Sequence, residues 1–172
     1  MKRIIVSVVI MGLALISCDL RPDDPPQLSN EEHAVISAVL DSLRRHDDPT
    51  GTLDVYDQTS ISTSIYSLSI AFDRDSVGSA SLLNNYNTAN LEIHTLDMDK
   101  LPDYVMLKDS EESDPYSGYI RFTRPGISND GLSAVVEYSS ISAPLAGSGM
   151  AAVLEKQDGV WVLIWLQMMW VS

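Results

Sequence analysis

The chain ends in MAAVLEKQ-DG-VWVLIWLQMMWVS, two long runs of aliphatic, β-branched and aromatic residues that meet at Asp158-Gly159. Asp-Gly is favoured where a two-residue hairpin turn needs positive φ at both central positions, so Gly159 is expected in that conformation and Trp161 is expected to be buried behind it. In the final run Trp161, Leu163 and Trp165 share one face and Val160, Val162 and Ile164 the other. Two apolar faces predict a central or covered strand, with a helix packed across one side. On that reading Trp161, Trp165, Trp170, Met168 and Met169 fill a core. Lining a ligand groove is their other use, and it would show as a concave apolar pocket with a few convergent polar groups.

The helix that such a sheet needs begins at SNEEHAVISAVLDSLRRHDDPTG. Ser29 and Glu32 have the spacing of a capping box, and Glu31 and Glu32 suit the positive end of a helix. Val35, Ile36, Val39, Leu40 and Leu43 recur at helical spacing. Arg44, Arg45 and His46 complement the negative end, and Pro49 with Gly51 stops the element. His33, in the first turn, is expected to be exposed. Strands are predicted at 53–56, 91–96, 104–107, 118–123, 132–140, 149–155 and 160–171. A short helix over 76–86 is predicted with Asp75 as its cap. Residues 58–74, rich in Ser, Thr and Ile, resolve into neither pattern. The expected class is α+β, with an N-terminal amphipathic helix packed on a curved antiparallel β-meander sheet.

At the other end, Lys2 and Arg3 precede an apolar run from Ile4 to Ile16. About 13 residues are too few to cross a bilayer comfortably as a helix and fit the apolar core of a secretory signal. Leu15, Ile16, Ser17 and Cys18 resemble a bacterial lipobox. That resemblance implies cleavage before Cys18 and lipidation of its sulfur, so the membrane becomes a partner through lipid and the location is the cell envelope outside the cytoplasm. The organisation follows: residues 1–17 a lipoprotein signal peptide, 18–28 the lipidated cysteine and a disordered tether (DLRPDDPPQL), and 29–172 a single α+β domain. Loss of residues 1–17 would remove Lys2 and Arg3, leaving nine basic against 24 acidic residues and a net charge of −15. Such acidity argues against nucleic acid and against anionic lipid held through the protein surface. Cys18 is the chain's one cysteine, so its modification leaves no thiol for a disulfide.

Two stretches carry a further resemblance. GYIRFTRPGISNDGLSAVVEY and PLAGSGMAAVLEKQDGVWVLIWLQMMWVS resemble the C-terminal part of a recurrent group of uncharacterised bacterial secreted proteins and lipoproteins. The matching residues are Gly126, Pro144, Gly147, Gly149, Leu154, Glu155, Lys156, Gly159, Trp161, Trp170 and Ser172. Where relatives carry cysteines this chain has Ser142 and Ala146, so no shared disulfide or metal role carries over. The resemblance implies no activity. The Asp-Gly-x-Trp hairpin is also similar to that of NTF2-like and cystatin-like domains.

Catalytic and cofactor motifs fare poorly. Gly147, Ser148 and Gly149 lack the outer glycine spacing and the strand-turn-helix setting of a nucleophile elbow. Asp73, Asp75 and Gly78 occupy the first, third and sixth positions of a calcium loop, but Val77 and Asn84 replace the fifth ligand and the terminal glutamate. Asp97, Asp99 and Asp103 form a loose acidic cluster without a ligand pattern. There is no zinc spacing and no phosphate loop, so neither a metal nor a cofactor is expected. The preferred expectation is a lipid-anchored binding or interaction module whose partner is an envelope protein or a small ligand. The alternative is an envelope hydrolase whose site is assembled from scattered residues, for which Ser148 and His94 are the side chains to test.

Overall fold

The computed structural model describes residues 25–46, 51–62, 65–109, 118–143 and 146–172. The expected signal peptide (residues 1–17), Cys18, most of the expected tether, Pro49 and Pro144 lie outside the described residues. Helix α1 is Asn30–His46, β1 Leu53–Tyr56, α2 Ile65–Asp75 and α3 Ala80–Ala89. A 3-10 turn at Met98–Lys100 precedes β2 (Val105–Lys108), β3 (Tyr119–Phe122), β4 (Gly126–Ile127), β5 (Ser133–Ala143), β6 (Ala146–Gln157) and β7 (Val160–Val171).

Among the described residues these strands form one open, mixed sheet in the order β2-β1-β3-β5-β6-β7, with β4 pairing β5 off that path. The fold class is α+β, as expected. The antiparallel meander is real for β5-β6-β7, but β1 pairs in parallel with both β2 and β3. Parallel neighbours need a crossover, and the chain between β1 and β2 supplies it as α2 and α3.

Alternation along β5 and β6 divides the core in two. Ala134, Val136, Tyr138, Ala152 and Leu154 pack with Val35, Ile36, Val39 and Leu40 of α1. Val135, Ala151 and Val153 pack with Leu68 and Phe72 of α2 and Leu82 and Tyr86 of α3. Successive side chains of a strand point to opposite faces, so helices cover both sides of the sheet where a helix on one side was expected.

Several local expectations are corrected. Residues 91–96 are a turn in which only Thr95 makes bridges, to Gln27 and Gln58. Leu91 and Ile93 are exposed, so their apolarity finds no face to bury. The helix expected over 76–86 starts at Ala80, capped by the Ser79 side chain accepting from Leu82 N. Ser76 and Gly78, both at positive φ, form the break that separates it from α2. His33 is buried rather than exposed: its Nδ1 lies 2.8 Å from Ser29 O, and its Nε2 accepts from Asp97 N at 2.8 Å. The folded part also begins before Ser29, because Leu28 is buried and donates its N–H to Thr95 O.

The terminal hairpin forms as its sequence predicts, with Asp158 at φ 51°, Gly159 at φ 84° and Trp161 buried. The strand after it does not behave as expected. β7 is the last strand of the sheet rather than a central one, with Trp161 and Leu163 packed into the α1-side core.

Candidate binding surface at the free edge of the sheet

The position of β7 follows from its start. Glu31, in the first turn of α1, accepts from Lys156 Nζ at 2.5 Å and from Trp161 Nε1 at 2.8 Å, which ties the β6-β7 hairpin to the helix. Lys156 also lies over the Trp161 ring, 5.2 Å from its centroid. The Lys156 hydrogen bond, against a smaller cost of burial, holds the Glu31 carboxyl below its ordinary range. Beside it the capping box is complete: Ser29 N donates to Glu32 Oε2 at 2.7 Å, and Glu32 N to Ser29 Oγ at 3.3 Å. Glu32 is buried and accepts from Arg124 Nε at 2.5 Å. Burial pushes its carboxyl up, but the Ser29 hydrogen bonds and the Arg124 guanidinium outweigh that and leave it lowered.

Beyond the hairpin, two β-bulges change what β7 presents. Its register against β6 shifts between Val153 and Leu154, which skips Ile164, and between Gly149 and Met150, which skips Met169. A bulge inserts one residue and flips the alternation. Leu163 therefore packs on the α1 side, while Trp165 joins Phe72 on the α2/α3 side at 5.9 Å between ring centroids. Trp161, Leu163 and Trp165 do not share one face as expected. Leu166 and Met168, paired with Ala152 and Met150, lie on the α1 side, and Trp170, paired with Gly149, on the other.

The consequence is an exposed apolar edge. Ile164 is 43 % exposed, Leu166 43 %, Met168 53 % and Trp170 40 %, and Val160 and Val162 are open as well. Of the five side chains expected in the core, Trp161 is buried, Trp165 and Met169 are half-buried, and Met168 and Trp170 are on the surface. No residue from Val160 to Val171 carries a charge, although the chain as a whole carries −13. Edge strands are commonly protected by charge or proline; in their place this one has the two bulges and, along its first half, the neighbouring α1.

Helix α1 overhangs the first half of this edge. Val35, Ile36, Val39 and Leu40 face the sheet, which leaves Ala34, Ser37, Ala38 and Ser42 along its flank. Between that flank and Val160–Leu163 runs a groove of about 1250 Å³. It is followed by a recess of about 430 Å³ bounded by Leu43, Tyr138, Ile164 and Leu166. On the opposite face a smaller recess of about 90 Å³ lies between Ser62, Arg121, Glu137 and Trp170. Ser62 Oγ donates there to Glu137 Oε2 at 3.0 Å, and Tyr86 OH to Thr123 Oγ1 at 3.0 Å. Burial, then the nearby Glu137 carboxylate, push the Tyr86 hydroxyl well above its ordinary range.

The other candidate residues are dispersed. Ser148 is half-buried in β6, opposite Ser140 and Val171. His94 is buried in the 91–95 turn, with its N–H donated to Thr59 Oγ1 at 2.9 Å and Nδ1 3.3 Å from Glu92 O. No hydrogen bond joins Ser148 to a histidine among the described residues. Asp75, expected as the cap of the helix over 76–86, is the last residue of α2. The Arg74 guanidinium, helped by Trp165 Nε1, holds its carboxyl down to about 2. Among the described residues no group of three or more His, Cys, Asp or Glu could hold a metal ion, and no helix is long and apolar enough to cross a membrane.

The groove and recess of the α1 side and the uncharged edge of β7 thus lie side by side at one end of the sheet. Compared with protein-family models, curated proteins and solved structures, the chain matches none of them.

Proposed function

We propose that this chain is a lipid-anchored binding module of the cell envelope that engages a partner through the free edge of β7. The lipobox at Leu15–Cys18 supports the anchoring. The observation that carries the binding role is the 12-residue edge strand without a charge, flanked by an open groove against α1. An exposed apolar surface of this extent on a highly charged chain is the usual mark of an interaction site. Lipid supplies location: about 0.8 kcal/mol per buried methylene makes two or three acyl chains an effectively permanent hold. Confinement at the membrane then raises the effective concentration of any partner tethered to the same surface.

The test has two arms. Cys18→Ala should abolish metabolic labelling with a fatty acid and release the chain from membranes washed with carbonate; continued labelling overturns the anchor. A strain lacking the gene should be rescued by the anchored chain and not by the Cys18→Ala form directed to the same compartment. Equal rescue by the released form, together with turnover of a small substrate that is lost on changing Ser148 or His94, overturns the binding role.

A further inference from the structure

We infer that the partner of the β7 edge is a second copy of this chain, whose own β7 adds antiparallel to it about a two-fold axis normal to the sheet. The inference deepens the reading above and rests on it for the shared membrane.

A two-fold interface puts the same patch on both sides, so the patch must complement itself. β7 meets that demand because it carries no charge: two chains of −13 each can approach along Val160–Val171 without placing like charges opposite one another in the strand. Directly paired residues must also lie on the same face of the joined sheet, and a slip of one residue breaks the match. Centring the axis on Leu166 satisfies this along the strand. Leu166 meets its own mate on the α1 side, Trp165 meets Gln167 of the second copy on the other side, and Val162 meets Trp170 there too. The two bulges compensate one another: passing over Ile164 in one copy sets Leu163 opposite Met168, both on the α1 side, and passing over Met169 in the other restores Val162 opposite Trp170. Exposed Leu166, Met168 and Ile164 of both copies then gather beside the recess bounded by Leu43 and Tyr138.

The route to the membrane agrees with this arrangement. The described chain begins at Pro25, passes Gln27, which bridges Thr95, and enters α1. An axis normal to the sheet leaves both α1 helices on one face of the joined sheet. Both chains therefore approach the membrane from the same side, and the seven residue steps from Cys18 to Pro25 reach at most about 25 Å. An anchored pair needs no longer connection.

Cysteine cross-linking in membranes holding the full-length chain tests the register. A lipidated Cys18 offers no thiol, so Leu166→Cys supplies the reactive one, placed beside its own mate within disulfide reach. Mild oxidation should convert that variant to a covalent dimer, while Leu91→Cys, exposed on the 91–95 turn, should stay monomeric. Adding Leu166→Lys to a pair of chains carrying Val162→Cys and Trp170→Cys should remove the cross-link those two otherwise form, and circular dichroism and protease resistance would show that the chain is still folded. Absence of the Leu166→Cys dimer in folded, anchored protein overturns the second-copy partner and leaves the anchor standing. A dimer formed equally by Leu91→Cys would mean random collision and overturns it as well. Fatty-acid labelling reports separately on the anchor.

Discussion

Glu32 joins three jobs in one side chain: it closes the capping box with Ser29, carries the buried negative charge at the start of α1, and holds Arg124 from the chain before β4. Because its folded carboxyl is lowered, the stabilisation is present above the ordinary carboxylate pKa of about 4.3 and is lost as pH falls through the folded value. Glu32→Gln should therefore be less stable than the parent at pH 7, by about 1–3 kcal/mol as befits hydrogen bonds to a charged group. The gap should narrow as pH falls below about 4, where the parent carboxyl is also neutral. Urea titrations of both chains across that range check the sign, and a gap that stays constant with pH would contradict the charged role. His33 was misplaced from sequence for a reason at the same scale. Helical spacing identified its turn but not the Asp97 N–H that its Nε2 accepts, because that partner lies 64 residues away.

Among the elements, the terminal hairpin is the most exposed to mutation. Trp161→Ala removes a buried indole and should cost about 3–5 kcal/mol. Gly159→Val forces a β-branched residue to φ 84° and should cost about 1–3 kcal/mol. Unchanged denaturation midpoints in both would contradict the hairpin. Gly149 makes a different prediction. A Cβ built there falls 1.9 Å from Trp170 Nε1, so the indole lies directly over the glycine. Trp170 is 40 % exposed and can swing outward, so Gly149→Ala should shift tryptophan emission to the red while changing stability by less than about 1 kcal/mol. An unaltered spectrum would contradict the packing.

The capping box, the apolar stripe of α1 and the Asp158-Gly159 turn were legible because each is a local rule expressed within a few residues. The bulges at Ile164 and Met169 were not, since a bulge is defined by the partner strand. Helix α2 was hidden for a similar reason: Leu68 and Phe72 become its buried face only when Val135 and Val153 stand opposite. The candidate site was therefore half visible. Two apolar faces on the last strand were plain, yet the same pattern suits a covered strand and an edge that awaits a partner, and only the strand order separates the two.

For the whole molecule the governing contrast is between a strongly acidic chain and one uncharged edge. Net charge of one sign keeps copies apart in solution, while a membrane concentrates them. Association through β7 should accordingly depend on anchoring, and the released Cys18→Ala chain should associate more weakly as it is diluted. Amide hydrogen exchange along β7 tests this most directly, comparing the full-length chain recovered with the membrane fraction against the Cys18→Ala chain at low concentration. The account predicts that amides in the Trp165–Met168 stretch pointing away from β6 exchange slowly when the chain is anchored and quickly once it is released. Equally rapid exchange in both forms would contradict a partner at this edge.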